Sequence, residues 1–369
     1  MQKINSQSIA PPLMPQNSNQ FQLVMAKQLL LVLAGLFIFV PLAAAQEINK
    51  EDFVKNRLKQ SSQRDFISLS VENDNLGGGT DQFYTSGVRL TYFNAGTDAP
   101  EILGFLDSHN PYFNINETTS TFFTLGHNIY TPQNIQIAEL QEDDRPWAGF
   151  LYGSVGLASV ENNHVDTVEL TLGVVGPEAL GKPIQKFVHK HIANATDPKG
   201  WDNQLNFEPG IILSWQRRWP VAYRINTGDF RLAAEPNINV SLGNVYTYAG
   251  AGVMLSFGPR YGVLQDTPPR VRPAMPGSGY FETPEKGWGW YIFAGADGRA
   301  VARNIFLDGN TFSNSHSVDK KTFVGDLTGG IAFTFSDYRL AYSLNYRSDE
   351  FDRQNDSSIF GSLTLSARF

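Results

Sequence analysis

Two groups of residues in this sequence carry the types that abstract a proton and hold a hard cation. Gln185 and His189 stand four apart in KPIQKFVHKH, which places both on one edge of a helix. A near-neutral imidazole is the side chain best suited to take a proton from water at neutral pH. The second group is Asn73-Asp74-Asn75, followed by Asp81, Tyr84 and Thr85, an array of carboxylate, amide and hydroxyl oxygens. Each group also has a structural reading. His189 could be a solvent-facing helix residue, and Asn73-Asp74-Asn75 with Gly77-Gly78-Gly79 could be only a turn, because these types dominate turns for backbone reasons.

The oxygen-rich group lies at the mouth of a hairpin spanning Asp65 to Phe93. In its first strand Ile67, Leu69 and Val71 alternate with Ser68, Ser70, Glu72 and Asp74. In its second, Val88, Leu90 and Tyr92 oppose Thr85, Gly87, Arg89 and Thr91. This parity puts Asp74 and Thr85 on the polar, inward side and Asn73 outward, unless the strand has ended or bulged at Asn73.

The same alternation recurs near 65–74, 84–94, 119–128, 149–160, 166–176, 207–217, 230–242, 245–257, 288–299, 322–335, 337–347 and 359–369. Apolar-out, polar-in strands with aromatic ends, finishing on Phe369, predict an all-β fold: a transmembrane antiparallel β-barrel of about 12 strands. A soluble β-sandwich is the alternative architecture. An even strand count puts both termini in the periplasm and makes 75–83, 129–148, 177–206, 243–244, 300–321 and 348–358 external loops. Segments 95–118 and 258–287 are long for periplasmic turns, and the second reads as an irregular plug or loop.

Upstream, the apolar run Leu29–Pro41 follows Lys27 and ends near Ala43-Ala44-Ala45, which reads as a secretory signal over residues 1–45, with Met25 a possible true start. Residues 46–64 form a periplasmic N-terminal segment and 65–369 the barrel. Residues 1–45 hold Lys3 and Lys27 and no acid, so their loss takes the net charge from −7 down by two, to −9. That acidity argues against nucleic acid as a partner. With no cysteine there is no disulfide or thiolate-metal site, which suits an exported protein.

The third external loop carries the helix, from Gly176 to Asn194, with Pro183 in its first turn. Ile184, Phe187, Val188 and Ile192 share an apolar face within which His191 packs, while Lys186 and Lys190 face away. This arrangement lays the helix on the barrel rim with Gln185 and His189 turned toward the mouth.

These residues resemble the outer-membrane lipid A 3′-O-deacylase family of twelve-stranded barrels. The matches are Ser70-Val71-Glu72-Asn73-Asp74 with Tyr84-Thr85-Ser86-Gly87, then Asn128-Ile129-Tyr130-Thr131-Pro132 with Asp144-Arg145. Further on come Gly173-Val174-Val175-Gly176-Pro177-Glu178, Gln185 with His189, and Trp201-Asp202-Asn203-Gln204. They fall in order through the first half, while the second half agrees mainly in strand pattern. The resemblance implies a monomeric Ca2+-dependent esterase of the Gram-negative outer membrane that removes an ester-linked acyl or acyloxyacyl chain from the lipid A of lipopolysaccharide. By carry-over His189 is the general base, Asn73 and Asp74 belong to the calcium and oxyanion region, and Thr85 and Gln185 line the pocket.

Two departures qualify the resemblance. The family's glutamate after the histidine falls at about Ala195, so either Asp197 serves after a one-residue shift in this loop or the histidine has no carboxylate partner. The family's basic second loop reads QIAELQEDD over Gln136–Asp144, so it lacks the family's charge for lipid phosphates, which Arg145, Lys182, Lys186 and Lys190 could supply instead. The alternative functions are a non-catalytic barrel, porin-like or structural, with Arg89, Glu169, Arg339 and Arg347 lining a pore, and a barrel phospholipase.

Overall fold

The computed structural model describes residues 65–77, 83–94, 113–116, 118–161, 164–193, 195–220, 222–259, 279–281, 284, 287–355 and 357–369. The expected signal segment 1–45, the segment 46–64, Asp81 and most of 95–118 and 258–287 lie outside the described residues. The strands are β1 (Phe66–Asn73), β2 (Phe83–Asn94), β3 (Ser120–Thr131), β4 (Ala148–Glu161), β5 (His164–Val175), β6 (Glu208–Arg218), β7 (Tyr223–Thr227), β8 (Phe230–Gly243), β9 (Tyr246–Pro259), β10 (Trp288–Asn304), β11 (Phe323–Phe335), β12 (Tyr338–Arg347) and β13 (Ser358–Arg368). Sequence neighbours pair antiparallel except β6 and β7, β1 with β13 closes one seam, and β6 with β8 closes the other. The ring therefore has twelve strands. Every segment expected from the alternation is in it, and β7 is a short addition that pairs only with β8.

The solvent of each wall face follows the residue pattern. On β5, Leu172 is 55 % exposed while Glu169, three residues earlier, is 2 % exposed. Across the barrel the inward set is polar and buried: Ser68 pairs with Ser366, Ser70 with Thr364, and Arg89 with Glu169 at 3.6 Å. Outward stand Leu125, Leu172, Leu213, Leu340 and Leu365, all exposed. An inverted partition of this kind is stable only where the exterior solvent is hydrocarbon and every strand edge is paired. The soluble sandwich is excluded, and the barrel sits in the outer membrane.

The ends of the barrel differ. At the end carrying Phe66 and Phe369, β11 and β12 are joined by Ser336-Asp337 alone, and Phe369 N–H donates to Asp65 O at 3.0 Å. Part of segment 258–287 enters the lumen there: Arg339 donates to Gly279 O at 2.8 Å and lies over the ring of the buried Phe281. The opposite end carries the long loops, as the external face of such barrels does. The loop after β10 starts with one helical turn, Ile305–Asp308, whose Phe306 stacks on Tyr130 at 4.1 Å within a buried group including Tyr84, Phe150, Tyr246 and Phe360. Below it Asp326 accepts from Arg347 at 2.8 Å and from Arg299 at 3.3 Å. The residues that a pore would need as lining are buried and paired inside the wall.

Candidate functional site

The site residues are carried by the upper ends of β1 and β2 and by the loop between β5 and β6. Asn73 ends β1 and caps a turn of 3-10 helix over Asp74–Leu76, its Oδ1 accepting from Asn75 N–H at 2.9 Å. Its amide Nδ2 donates to Thr85 O at 2.7 Å, which ties the strand end to β2. Asp74 is buried and its Oδ1 accepts from Asn75 N–H at 2.8 Å. The turn folds against β13: Tyr342 donates from its hydroxyl to Leu76 O at 2.8 Å, and a Cβ on Gly361 would come within 2.5 Å of the same oxygen.

Thr85 departs from the parity its strand predicts. Tyr84 pairs with Tyr130 and Ser86 with Ile129, so Thr85 is the extra residue of a β-bulge. Its side chain therefore turns to the outer face of the wall, where its hydroxyl bonds that of Thr131 at 2.7 Å. Thr131 shares a face of β3 with the exposed Phe123 and Leu125, whereas Tyr84 and Tyr130 pack inside at 5.6 Å between ring centroids. The inward placement expected for Thr85 is thus corrected by one residue of bulge. Asn73 stands outward as expected, at the last position of its strand.

The helix is α1 (Gly181–Val188), entered through Leu180 in the left-handed region (φ 61°) and widening into a π-helical turn over His189–Ala193. It lies on the outside of the barrel. Gly149 shares the outward face of β4 with the exposed Val155, and a Cβ there would meet Gly181 Cα at 3.2 Å. His127, outward on β3, donates from Nε2 to Ala179 O at 2.7 Å. Ile129, outward on β3, packs with Ile135, Trp147 and Trp201. Gln185 and His189 are 3 % and 4 % exposed, so they face the outer wall and not the mouth of the lumen. The stripe that packs inward is the polar one, and Ile184, Phe187 and His191 are exposed, which corrects the packing role expected for His191. The side chain of Ile192 lies outside the described residues.

His189 Nδ1 is 2.6 Å from Thr196 O. A carbonyl can only accept, so Nδ1 carries a hydrogen and donates it to Thr196 O. Asp197 is exposed and its carboxylate accepts from Lys186 Nζ at 3.2 Å. The main-chain carbonyl of Thr196 thus orients the imidazole. Gln185 accepts at Oε1 from Trp201 Nε1–H at 2.7 Å, and its Nε2 is buried without a protein partner. Leaving such a donor unmade costs about 1–3 kcal/mol. Thr131, Thr196 and Trp201 were not singled out individually by sequence reasoning. The only local signal was their place inside the matched blocks or beside them.

Of the basic residues expected to supply charge, Lys182 and Lys186 are held in ion pairs, Lys190 is exposed, and Arg145 has Nε and Nη2 buried without a protein partner. Arg145 is fully buried, donating to Glu350 at 3.3 Å and lying over the Tyr130 ring at 5.2 Å. Lys182 pairs with Asp202 at 2.7 Å, and this pairing holds the Asp202 carboxyl below its ordinary pKa. The acidic loop between β3 and β4 braces the histidine segment, with Lys199 N–H donating to Ile135 O at 2.8 Å and Asn203 Nδ2 to Ala138 O at 2.8 Å.

The structure joins Asn73, Asp74 and Thr85 as one unit and Gln185 and His189 as another, with the outer face of β2–β3 as their shared boundary. Among the described residues there is no cluster of three His, Asp or Glu side chains able to hold a metal. A cation at Asp74 would be held by one carboxylate together with amide and main-chain oxygens and water, a donor set that suits Ca2+ and not the nitrogen- and sulfur-seeking metals.

The family described as "Outer membrane protein LpxR" matches residues 29–369. The structure resembles LpxR from Salmonella typhimurium with a TM-score of 0.65 and 20 % identity, over 82 % of this chain and 100 % of that one. It is also similar to the β domain of the Bordetella autotransporter BrkA (TM-score 0.40, 11 % identity, 84 % and 99 % of the two chains) and to the KdgM porin (0.32, 6 %, 82 % and 99 %), both too distant to inform function. No curated protein matches the chain. A family match over nearly the whole barrel, on a closed ring of twelve strands, makes this chain a member of the LpxR outer-membrane protein family.

Proposed function

We propose that the protein hydrolyses an ester-linked acyl or acyloxyacyl chain of lipid A, the 3′ chain by analogy with the family, in the outer leaflet. The observation that carries this reading is the placement of His189: buried against the outer wall of the barrel, with Nδ1–H committed to Thr196 O, so that proton transfer in the proposed reaction falls to Nε2. An ester carried by a membrane lipid can reach such a site laterally, without entering the filled lumen.

In this reading Nε2 of His189 removes a proton from water as its oxygen attacks the ester carbonyl carbon. The same imidazolium then returns that proton to the departing sugar oxygen as the acyl C–O bond breaks, giving a fatty acid and a free hydroxyl. The unpartnered Nε2–H groups of Gln185 donate to the carbonyl oxygen, most strongly when it carries the negative charge. Asp74 and Asn73 would hold Ca2+, and Thr85 shapes the wall beneath the substrate. Bound Ca2+ supplies Lewis-acid polarisation of the carbonyl, so no serine nucleophile is required.

The test is mass spectrometry of lipid A from Gram-negative cells expressing the wild type or His189→Ala, with and without chelator. Loss of one acyl or acyloxyacyl mass, abolished by the substitution and by chelation, is the expected result. Unchanged lipid A with a correctly folded barrel overturns the reading. The pore alternative lacks support, because Arg89, Glu169, Arg339 and Arg347 are buried in ion pairs and hydrogen bonds.

A further inference from the structure

Helix α1 has three stripes. Gly181, Gln185 and His189 pack on the wall, and Lys182, Lys186 and Lys190 form a basic edge. The remaining stripe, Leu180, Ile184, Phe187 and His191, turns away from the protein, with Phe187 59 % exposed and its ring 4.9 Å from that of His191. A helix resting on a soluble protein buries its apolar stripe and exposes its polar one. This helix does the reverse, as the barrel wall beneath it does.

Its height on the wall says what covers the stripe. Gly181 rests on Gly149, and four residues down the same strand Gly153 stands in register with the exposed Leu125 and Leu172 of the lipid-facing belt. With a rise near 3.4 Å per residue and a strand tilt near 40°, that separation is about 10 Å along the membrane normal. The apolar band of such barrels is about 25 Å tall, so α1 lies at its upper margin. The wall's own aromatic girdle supports the same level. Trp288, Phe335, Tyr338 and Phe369 are exposed at the end bearing the termini, and Phe207 and Phe323 at the opposite end. Between β1 and β5 the outward positions at the upper end are Asn73, Ser86, Ile129, Gly149 and Val174, none of them an exposed aromatic. Phe187 stands in front of that gap.

We propose that α1 is an interfacial helix embedded in the outer leaflet, with Leu180, Ile184 and Phe187 in contact with lipid acyl chains and Lys190 at the headgroup level. The surface is continuous with the lipid-facing belt and completes the girdle where the wall lacks it. The lip of the candidate site is then lipid-solvated, and an acyl chain passes from bilayer to site without crossing water.

The chain has no cysteine, so single-cysteine spin labels report one position each. Leu172→Cys serves as the lipid reference and Glu142→Cys, in the exposed acidic loop, as the water reference. Ile184→Cys, Phe187→Cys and Lys190→Cys are compared with them in phosphatidylethanolamine–phosphatidylglycerol vesicles, each checked for heat-modifiable migration. The oxygen-to-nickel-chelate accessibility ratio at 184 and 187 is expected to approach that at 172 and to exceed that at 142 several-fold, while 190 follows 142. Nickel accessibility at 187 equal to that at 142 overturns the proposal, and so does exclusion of both probes, which would mean that protein covers the stripe. The measurement is independent of esterase activity, so it stands or falls separately from the proposed reaction.

Discussion

Trp201 donates its indole N–H to Gln185 Oε1 at 2.7 Å, and this bond fixes which way the Gln185 amide points. With the oxygen held by the indole, the NH2 group is the end of the amide left buried without a protein partner. Trp201 is itself immobilised: it is fully buried, tilted against Trp147 at 5.1 Å, and a Cβ on Gly181 would strike its ring at 2.5 Å.

Trp201→Phe keeps most of the ring and removes the donor. One neutral hydrogen bond is worth about 0.5–1.5 kcal/mol, so if the amide serves the developing oxyanion as proposed, kcat should fall by up to about tenfold with KM little changed. A substitution that raises KM while leaving kcat intact would show Trp201 to be merely a packing residue.

Asp197 and Thr196 make opposite predictions about the histidine. If the carbonyl orients the ring, Asp197→Asn costs only an exposed ion pair with Lys186, worth about 0–1 kcal/mol, and the pH–rate profile keeps its midpoint. A shift of that midpoint in Asp197→Asn would reinstate the carboxylate as partner. His189→Gln, with the fold retained, should abolish turnover.

Asp74 carries the only charge of the turn that would hold the cation. Asp74→Asn retains size and hydrogen bonding but lowers the charge, so the free Ca2+ needed for half-maximal activity should rise by about tenfold or more, with residual activity at saturating Ca2+. Activity titrated against buffered Ca2+ reads this directly. An unchanged titration would move the cation elsewhere.

The strands were legible because a membrane barrel writes its environment at period two: Leu363 and Leu365 against Ser362, Thr364 and Ser366 can be sorted without knowing the partner strand. The orientation of Thr85 was not legible, since a bulge is a relation between two strands and only β3 shows that one residue is extra. Nor was the partner of His189, because Thr196 contributes a main-chain atom that any residue type could supply. The apolar stripe of α1 was visible, but its direction depends on whether the surrounding solvent is water or lipid. β7 escaped notice because five residues paired to one neighbour leave too short a pattern.

Arg145 has a role in the fold that experiment can separate from a role toward the ligand. Its guanidinium is fully buried against Glu350 and the Tyr130 ring, and Glu350 also faces Arg347 at 3.8 Å. Arg145→Met leaves Glu350 with one cation fewer at a buried position, where breaking a buried pair costs about 3–5 kcal/mol. The temperature at which the barrel loses its compact migration in detergent should therefore fall clearly. Arg145→Met with Glu350→Met removes both charges of the pair and should recover most of the loss, although Arg347 then keeps only Asp326. If Arg145 instead bound lipid phosphate, the single substitution would raise KM with little effect on melting, and the double would bring no recovery.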